Sequence, residues 1–190
     1  MARPTRKKGK IEEAAIRLLA GKGLARTTIR DIAAAAGVGE GALYRHWAGK
    51  DDMAWQLYCR EVSAFTAAFE PILSRSAGPL RNRLLDAVRF VYRFYGDQPD
   101  RLVFVLLTRQ GFPQRRILDE SIDPDHAVIR FIRAEMAAGN VPPGDPVLRM
   151  AMVRGVVLEP VLMHRYGRLK TAPIDLAEQV AAACVRILER

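Results

Sequence analysis

Apolar residues in this chain recur almost everywhere at helical spacing, and that pattern constrains the fold more than any other feature. Ile11, Ala14, Ala15, Leu18 and Leu19 form one stripe of an amphipathic helix, with Gly21 and Gly23 as stop signals. A second helix starts at Thr28, with Asp31 three positions on as in a capping box; it buries Ile29, Ile32, Ala33 and Ala36 and ends at Gly37. A short third helix fits EGALYRHW, which places Leu43 and Trp47 one turn apart on one face. Asp51 and Asp52 suit the positive end of a fourth helix, whose stripe runs Trp55, Tyr58, Val62, Phe65, Phe69 and Ile72. Pro71 and SRSAGP are expected to end it at about residue 70.

Further helices follow at Leu80–Tyr95 and over the apolar run at 100–110. The next buries Val128, Phe131, Ile132 and Met136 and stops at Gly139. Asp145–Pro146 opens another that reaches about Tyr166, and the last, after Pro173, buries Leu176, Val180, Cys184 and Ile187. No stretch alternates with period two, so the fold class is all-α.

Against that background, GVGEGALYRHW (37–47) poses a choice. Gly37, Gly39 and Ala42 match G-x-G-x-x-[G/A], the dinucleotide-binding fingerprint. That fingerprint needs a strand before it and a βαβ unit around it. Here DIAAAA precedes it, and the first 60 residues hold no Val/Ile-rich strand. The same residues read well as helix-turn-helix. Gly37 supplies a left-handed exit from the second helix, Val38 fills the seam, and Ala33, Ala34 and Ala35 permit close approach. The following helix then offers its first turn to DNA.

Charge points the same way. The net charge is +9 over 190 residues, and residues 1–50 hold 11 Lys or Arg against 4 Asp or Glu, whereas 51–190 hold 19 against 17. A basic excess confined to one quarter of a chain suits an anionic partner, nucleic acid or a membrane surface; the bland alternative is a solubilising tail. Glu12, Glu13 and Arg17 leave MARPTRKKGK without the apolar stretch of a signal peptide. LVFVLL (102–107) is far short of a membrane span, so no membrane association is expected. Cys59 and Cys184, without a CxxC, suit a reducing cytoplasm and buried, inert thiols.

The stretch TTIRDIAAAAGVGEGALYRHWAGKDDM resembles the DNA-binding domain of TetR-type transcriptional regulators: paired Thr, an IA-x-x-AGV core, G-x-LY-x-H-aromatic, and Lys50 at the next helix. The resemblance covers about residues 8–60 and departs twice. Gly39 stands where the family usually has Ser or Thr, and Trp47 replaces the commoner Phe. It implies a DNA-binding domain with a basic arm in 1–50 and a helical ligand-binding and dimerisation domain in 51–190. It further implies phosphate binding by Thr27, Thr28 and Lys50, and a reading helix opened by Gly39, Glu40, Gly41 and Ala42. Tyr44, Arg45 and His46 are then the side chains that meet bases or phosphates, although a solvated Arg45 competes with one that reads guanine. Arg6, Lys7, Lys8 and Lys10 would form a flexible arm along the backbone.

The same resemblance implies a homodimer on a near-palindromic operator. Helices at about 145–166 and 173–190 would form a four-helix interface, and a largely apolar small molecule would move the helix from Asp51 like a lever. Trp55, Phe65, Tyr92, Tyr95, Phe104, Met136 and Met152 are first of all core; as pocket walls they rest on the resemblance alone. DESIDPDH (119–126) lacks metal-ligand spacing and reads as a solvated connection, and His164 suits a helix end. No catalytic constellation and no cofactor site stand out. The rival reading is a small all-α enzyme or ligand carrier with a basic N-terminal tail.

Overall fold

The computed structural model describes residues 3–74, 78–107, 111–112 and 118–189. Among them the fold is all-α. The helices are α1 (Arg3–Lys22), α2 (Ile29–Ala36), α3 (Gly41–Tyr44), α4 (Lys50–Ser74), α5 (Leu80–Asp97), α6 (Pro99–Leu107), α7 (Pro124–Ala137), α8 (Pro146–Arg165) and α9 (Ala177–Leu188). A 3₁₀ turn, Pro173–Leu176, leads into α9. The chain divides into two compact units, residues 1–63 with 98–118 and residues 64–97 with 119–190.

In the first unit α1 packs against α2 and α6, and the core gathers Ile11, Ala15 and Leu19 of α1 with Ile32 of α2, Leu43 of α3 and Met53 and Leu57 of α4. The expected second helix is present with both ends as the sequence dictates. Thr28 Oγ1 accepts from the Asp31 N–H at 3.0 Å while the Thr28 N–H donates to Asp31 Oδ2 at 3.1 Å, a closed capping box. Gly37 leaves the helix at φ 66°, and the N–H groups of Gly37 and Val38 donate to Ala34 and Ala33, a Schellman end. Its buried side chains are Ile32 and Ala33, whereas Ile29 and Ala36 are half-buried.

Three boundaries differ from the sequence reading. The basic residues Lys7, Lys8 and Lys10 lie in α1, so this stretch is helix rather than a flexible arm. The third helix is only Gly41–Tyr44, with looser turns on to Trp47. Pro71 sits inside α4 instead of ending it, and the helix runs on to Ser74. A proline so near the C-terminal end removes one i→i−4 bond, and the Ser74 hydroxyl adds a bond to the Glu70 carbonyl at 2.9 Å.

In the second unit α5 packs against α9, and α8 against α7 and α9. Asp123 and Asp145 cap α7 and α8, each followed by a proline in the first turn, where no backbone N–H is needed. Arg83 of α5 donates to both Glu135 oxygens of α7, at 2.7 and 2.5 Å, and lies over the Phe131 ring. On α7 the buried residue is Ile129 rather than Val128, and on α9 it is Leu188 rather than Ile187. Among the described residues no helix is long and apolar enough to cross a membrane.

Candidate nucleic-acid interface

The segment 39–47 is built so that two residues hold it and the rest face outward. Leu43 and Trp47 are buried, at 1% and 5% exposure. The N–H groups of His46 and Trp47 both donate to the Leu43 carbonyl, which fixes the turn after α3. Gly39, Glu40, Gly41, Tyr44, Arg45 and His46 are exposed, Tyr44 at 58%, and Ala42 is half-buried. Tyr44 is thus a large side chain left to solvent between two anchored apolar residues. A Cβ added at Gly39 or Gly41 would meet nothing within 4 Å, so both leave open ground in front of the backbone. The residue at the cap of α3 is Glu40, with no side-chain capping bond, and the Gly39 carbonyl accepts from Ala42.

The paired threonines do different things. Thr28 is exposed at the start of α2 and closes the capping box. Asp31 is held below the ordinary carboxylate value of 3.8, first by the Thr28 backbone N–H, then by the Thr28 side chain, with Lys22 and Arg30 adding positive charge. Thr27 is 1% exposed, and its hydroxyl donates to the Gly23 carbonyl at 2.8 Å, tying the end of α1 to the start of α2. Lys50 also has a local partner, since its ammonium donates to the Leu24 carbonyl at 2.8 Å and lies 3.9 Å from Asp51. Its side chain keeps 25% exposure, which leaves donors for an outside anion.

The sequence carried no signal for the charges that brace this unit. Arg60 of α4 donates to Glu12 of α1 at 2.8 Å and to Glu61 at 3.0 Å. Arg101 of α6 reaches Glu61 at 3.4 Å and also pairs with Glu13 of α1. Lys8 lies 5.7 Å from the centroid of the Trp47 ring. Lys8 and Glu12, an i,i+4 pair within α1, lie 3.9 Å apart.

The residues expected to wall a ligand pocket are divided between the two units. Trp55 and Phe104 belong to the first unit, in a ring cluster with Tyr58 and Phe112. Phe65 belongs to the second, against Phe69, Phe90 and Phe94. Tyr92 donates to the Val157 carbonyl at 3.1 Å, and burial pushes its phenol up; Tyr95 Oη lies 3.1 Å from His164 Nδ1. Met136 is half-buried, and Met152 is 48% exposed, contrary to its reading as core. The reason is that α8 is apolar on its outer face as well, where Val147 and Leu148 are also exposed. A cavity of about 420 Å³ is lined by Ile72, Asp86, Arg89, Phe90, Arg93, Phe94 and Asp97. A second, of about 430 Å³, lies along α8 beside Val156, Pro160 and Met163. Neither includes the seven. In the 119–126 stretch, His126 lies 3.3 Å from Asp123 and 3.4 Å from Glu120, and Asp123 is occupied in capping α7.

Comparison with known proteins bears on the same residues. Residues 11–56 match the family model of bacterial regulatory proteins of the tetR family. Over 74 residues the chain is 36% identical to the HTH-type transcriptional repressor KstR2 of Mycobacterium tuberculosis, a match spanning 39% of this chain and 37% of that protein. Two solved structures share the fold. One is a TetR family transcription regulator from Marinobacter aquaeolei, 16% identical, with a TM-score of 0.79 over 98% of this chain and 97% of that one. The other is the transcriptional regulator FadR from Bacillus subtilis in complex with stearoyl-CoA, 19% identical, with a TM-score of 0.77 over 94% of this chain and 97% of that one. The similarity to the tetR family of bacterial regulatory proteins thus rests on residues 11–56, the helix-turn-helix, and the chain spans little more than a third of the curated repressor it matches.

Proposed function

We propose that the chain is a ligand-responsive DNA-binding transcriptional regulator, a repressor that a small molecule releases from a near-palindromic operator. The observation that carries this reading is the segment 39–47, anchored by Leu43 and Trp47 and exposing Glu40, Tyr44, Arg45 and His46. In the major groove, Gly41 and Ala42 allow close approach and apolar contact with thymine methyls, and Arg45 reads guanine or holds phosphate. Thr28, at the open end of α2, and Lys50, through its free donors, hold the backbone on either side. Thr27 serves this contact indirectly, by fixing the loop that presents Thr28.

The operator's two-fold symmetry calls for a homodimer, and α8 offers the surface. Val147, Leu148 and Met152 are exposed apolar residues on one helix. The effector is taken to be a largely apolar molecule bound among the helices of residues 51–190. Stearoyl-CoA in the FadR relative makes a long-chain acyl thioester the first compound to try. Release follows only if the effector prefers the spacing of reading segments that does not fit DNA, with α4, which begins at Lys50, carrying the shift.

The test is selection of bound genomic fragments by the full chain, followed by footprinting at low salt. The reading expects two protected half-sites one helical turn, about 10 base pairs, or a multiple apart. A folded dimer that protects no duplex overturns it.

A further inference from the structure

The first turns of α1 are unusual as helix. Between residues 3 and 10 the sequence carries five basic residues and no acidic one, with Gly9 among them. Cations at a helix N-terminus oppose the dipole, like charges one turn apart such as Lys7 and Lys10 repel, and an interior glycine weakens the helix further. Local physics therefore works against a helix here, and something outside the segment has to hold it and balance its charge.

Two contacts hold it. Lys8 is placed over the Trp47 ring, 5.7 Å from the centroid, and its ammonium is 3.9 Å from Glu12 one turn on. Trp47 is buried beneath the reading segment and packs edge to face with His46, centroids 5.4 Å apart. Lys7, Lys8 and Lys10 all remain exposed. The basic end of α1 is thus pinned to the residue that closes the reading segment, and its ammonium groups are left to solvent.

We propose that Lys8 is a positioning residue for duplex DNA: seated on the Trp47 indole, it fixes the basic end of α1 beside the reading segment, so that Lys7 and Lys10 add phosphate contacts. This rests on the DNA-binding reading above and deepens it. A lysine over an indole keeps its charge and its donors while losing freedom, so the neighbouring lysines meet the backbone from a fixed helix at a small entropic cost. These contacts are electrostatic and independent of base sequence, so the polyanion supplies the countercharge that the helix lacks.

The experiment measures binding of the full chain to a random-sequence duplex between about 50 and 200 mM salt, and reads the slope of log affinity against log salt. Lys7→Gln and Lys10→Gln are each expected to make the slope shallower by about 0.9. Lys8→Gln is expected to cost more than either, with the melting temperature unchanged, and Lys8→Arg to restore the slope because guanidinium also stacks on indole. A Lys8→Gln slope equal to that of the unaltered chain, or reduced no more than by Lys7→Gln, overturns the proposal while leaving the DNA-binding reading intact. An unaltered chain that binds no duplex overturns both.

Discussion

The Lys50 ammonium donates to the Leu24 carbonyl at 2.8 Å, closing a gap of 26 positions and tying the start of α4 to the loop between α1 and α2. The bond is charge-assisted and only 25% of the side chain is exposed, so Lys50 braces the helix-turn-helix as well as carrying a charge toward it. Lys50→Met keeps the stem and removes the donor. It is expected to lower stability by about 1–2 kcal/mol in urea unfolding and to weaken duplex binding as well. Stability equal to that of the unaltered chain contradicts the bracing role.

Thr28→Ala removes one half of the α2 capping box and is expected to cost about 1 kcal/mol. The other half titrates. Because Asp31 is held below its ordinary value of 3.8, its contribution is present above that value and is lost as pH falls through the lower, folded-state value. Acid unfolding followed by circular dichroism checks this. Asp31→Asn is expected to flatten that part of the pH profile, and an unchanged profile counts against the box.

Cys184 is fully buried, and burial raises its thiol from 9.0 to about 11. A neutral thiol favoured by the fold stabilises below pH 9.0, and that contribution is lost as pH rises from there toward the folded value of about 11. At pH near 8, a thiol reagent is expected to leave Cys184 unmodified in the folded chain and to label it in urea. Mass spectrometry distinguishes the outcomes, and rapid labelling of Cys184 in the folded chain contradicts its burial.

Arg83 and Glu135 form a two-pronged pair with only 12% and 7% of their side chains exposed. Glu135→Gln strands the guanidinium and is expected to cost about 3 kcal/mol or more. The double change Arg83→Met with Glu135→Leu should cost less than Glu135→Gln alone, because no charge is left buried. Denaturant unfolding of the three variants tests the ordering.

What could be read from the chain tracks the distance over which the information acts. The Thr28–Asp31 box, the Gly37 exit and the Asp145–Pro146 start are decided within a few residues, and all three are where the sequence put them. Pro71 misled because a proline's effect depends on how much helix follows it, and here only the last turn does. Thr27 and Thr28 are alike in sequence, yet one hydroxyl is buried under the Gly23 carbonyl and the other faces out; only packing separates them. The pairs Arg60–Glu12 and Arg101–Glu13 join residues 48 and 88 positions apart, beyond the reach of any periodicity. The ring stripe was legible as core but not as a pocket, because helical spacing puts Phe65 and Phe104 on buried faces without saying which faces meet.

The exposed apolar side chains of α8 give a test of assembly. Leu148→Glu together with Met152→Glu is expected to convert a dimer into a monomer in sedimentation analysis, with helical content retained. A dimer that survives both changes places the interface elsewhere.

The central claim is that segment 39–47 reads a duplex, and the most direct measurement is the affinity of point variants for the footprinted fragment and for a random one. Tyr44→Ala and Arg45→Ala are expected to keep the fold, since both side chains are exposed, and to lose about 1–3 kcal/mol on the footprinted fragment wherever a base contact is removed. Their affinity for random duplex should fall less. If both variants bind the footprinted fragment as tightly as the unaltered chain, the segment does not read DNA.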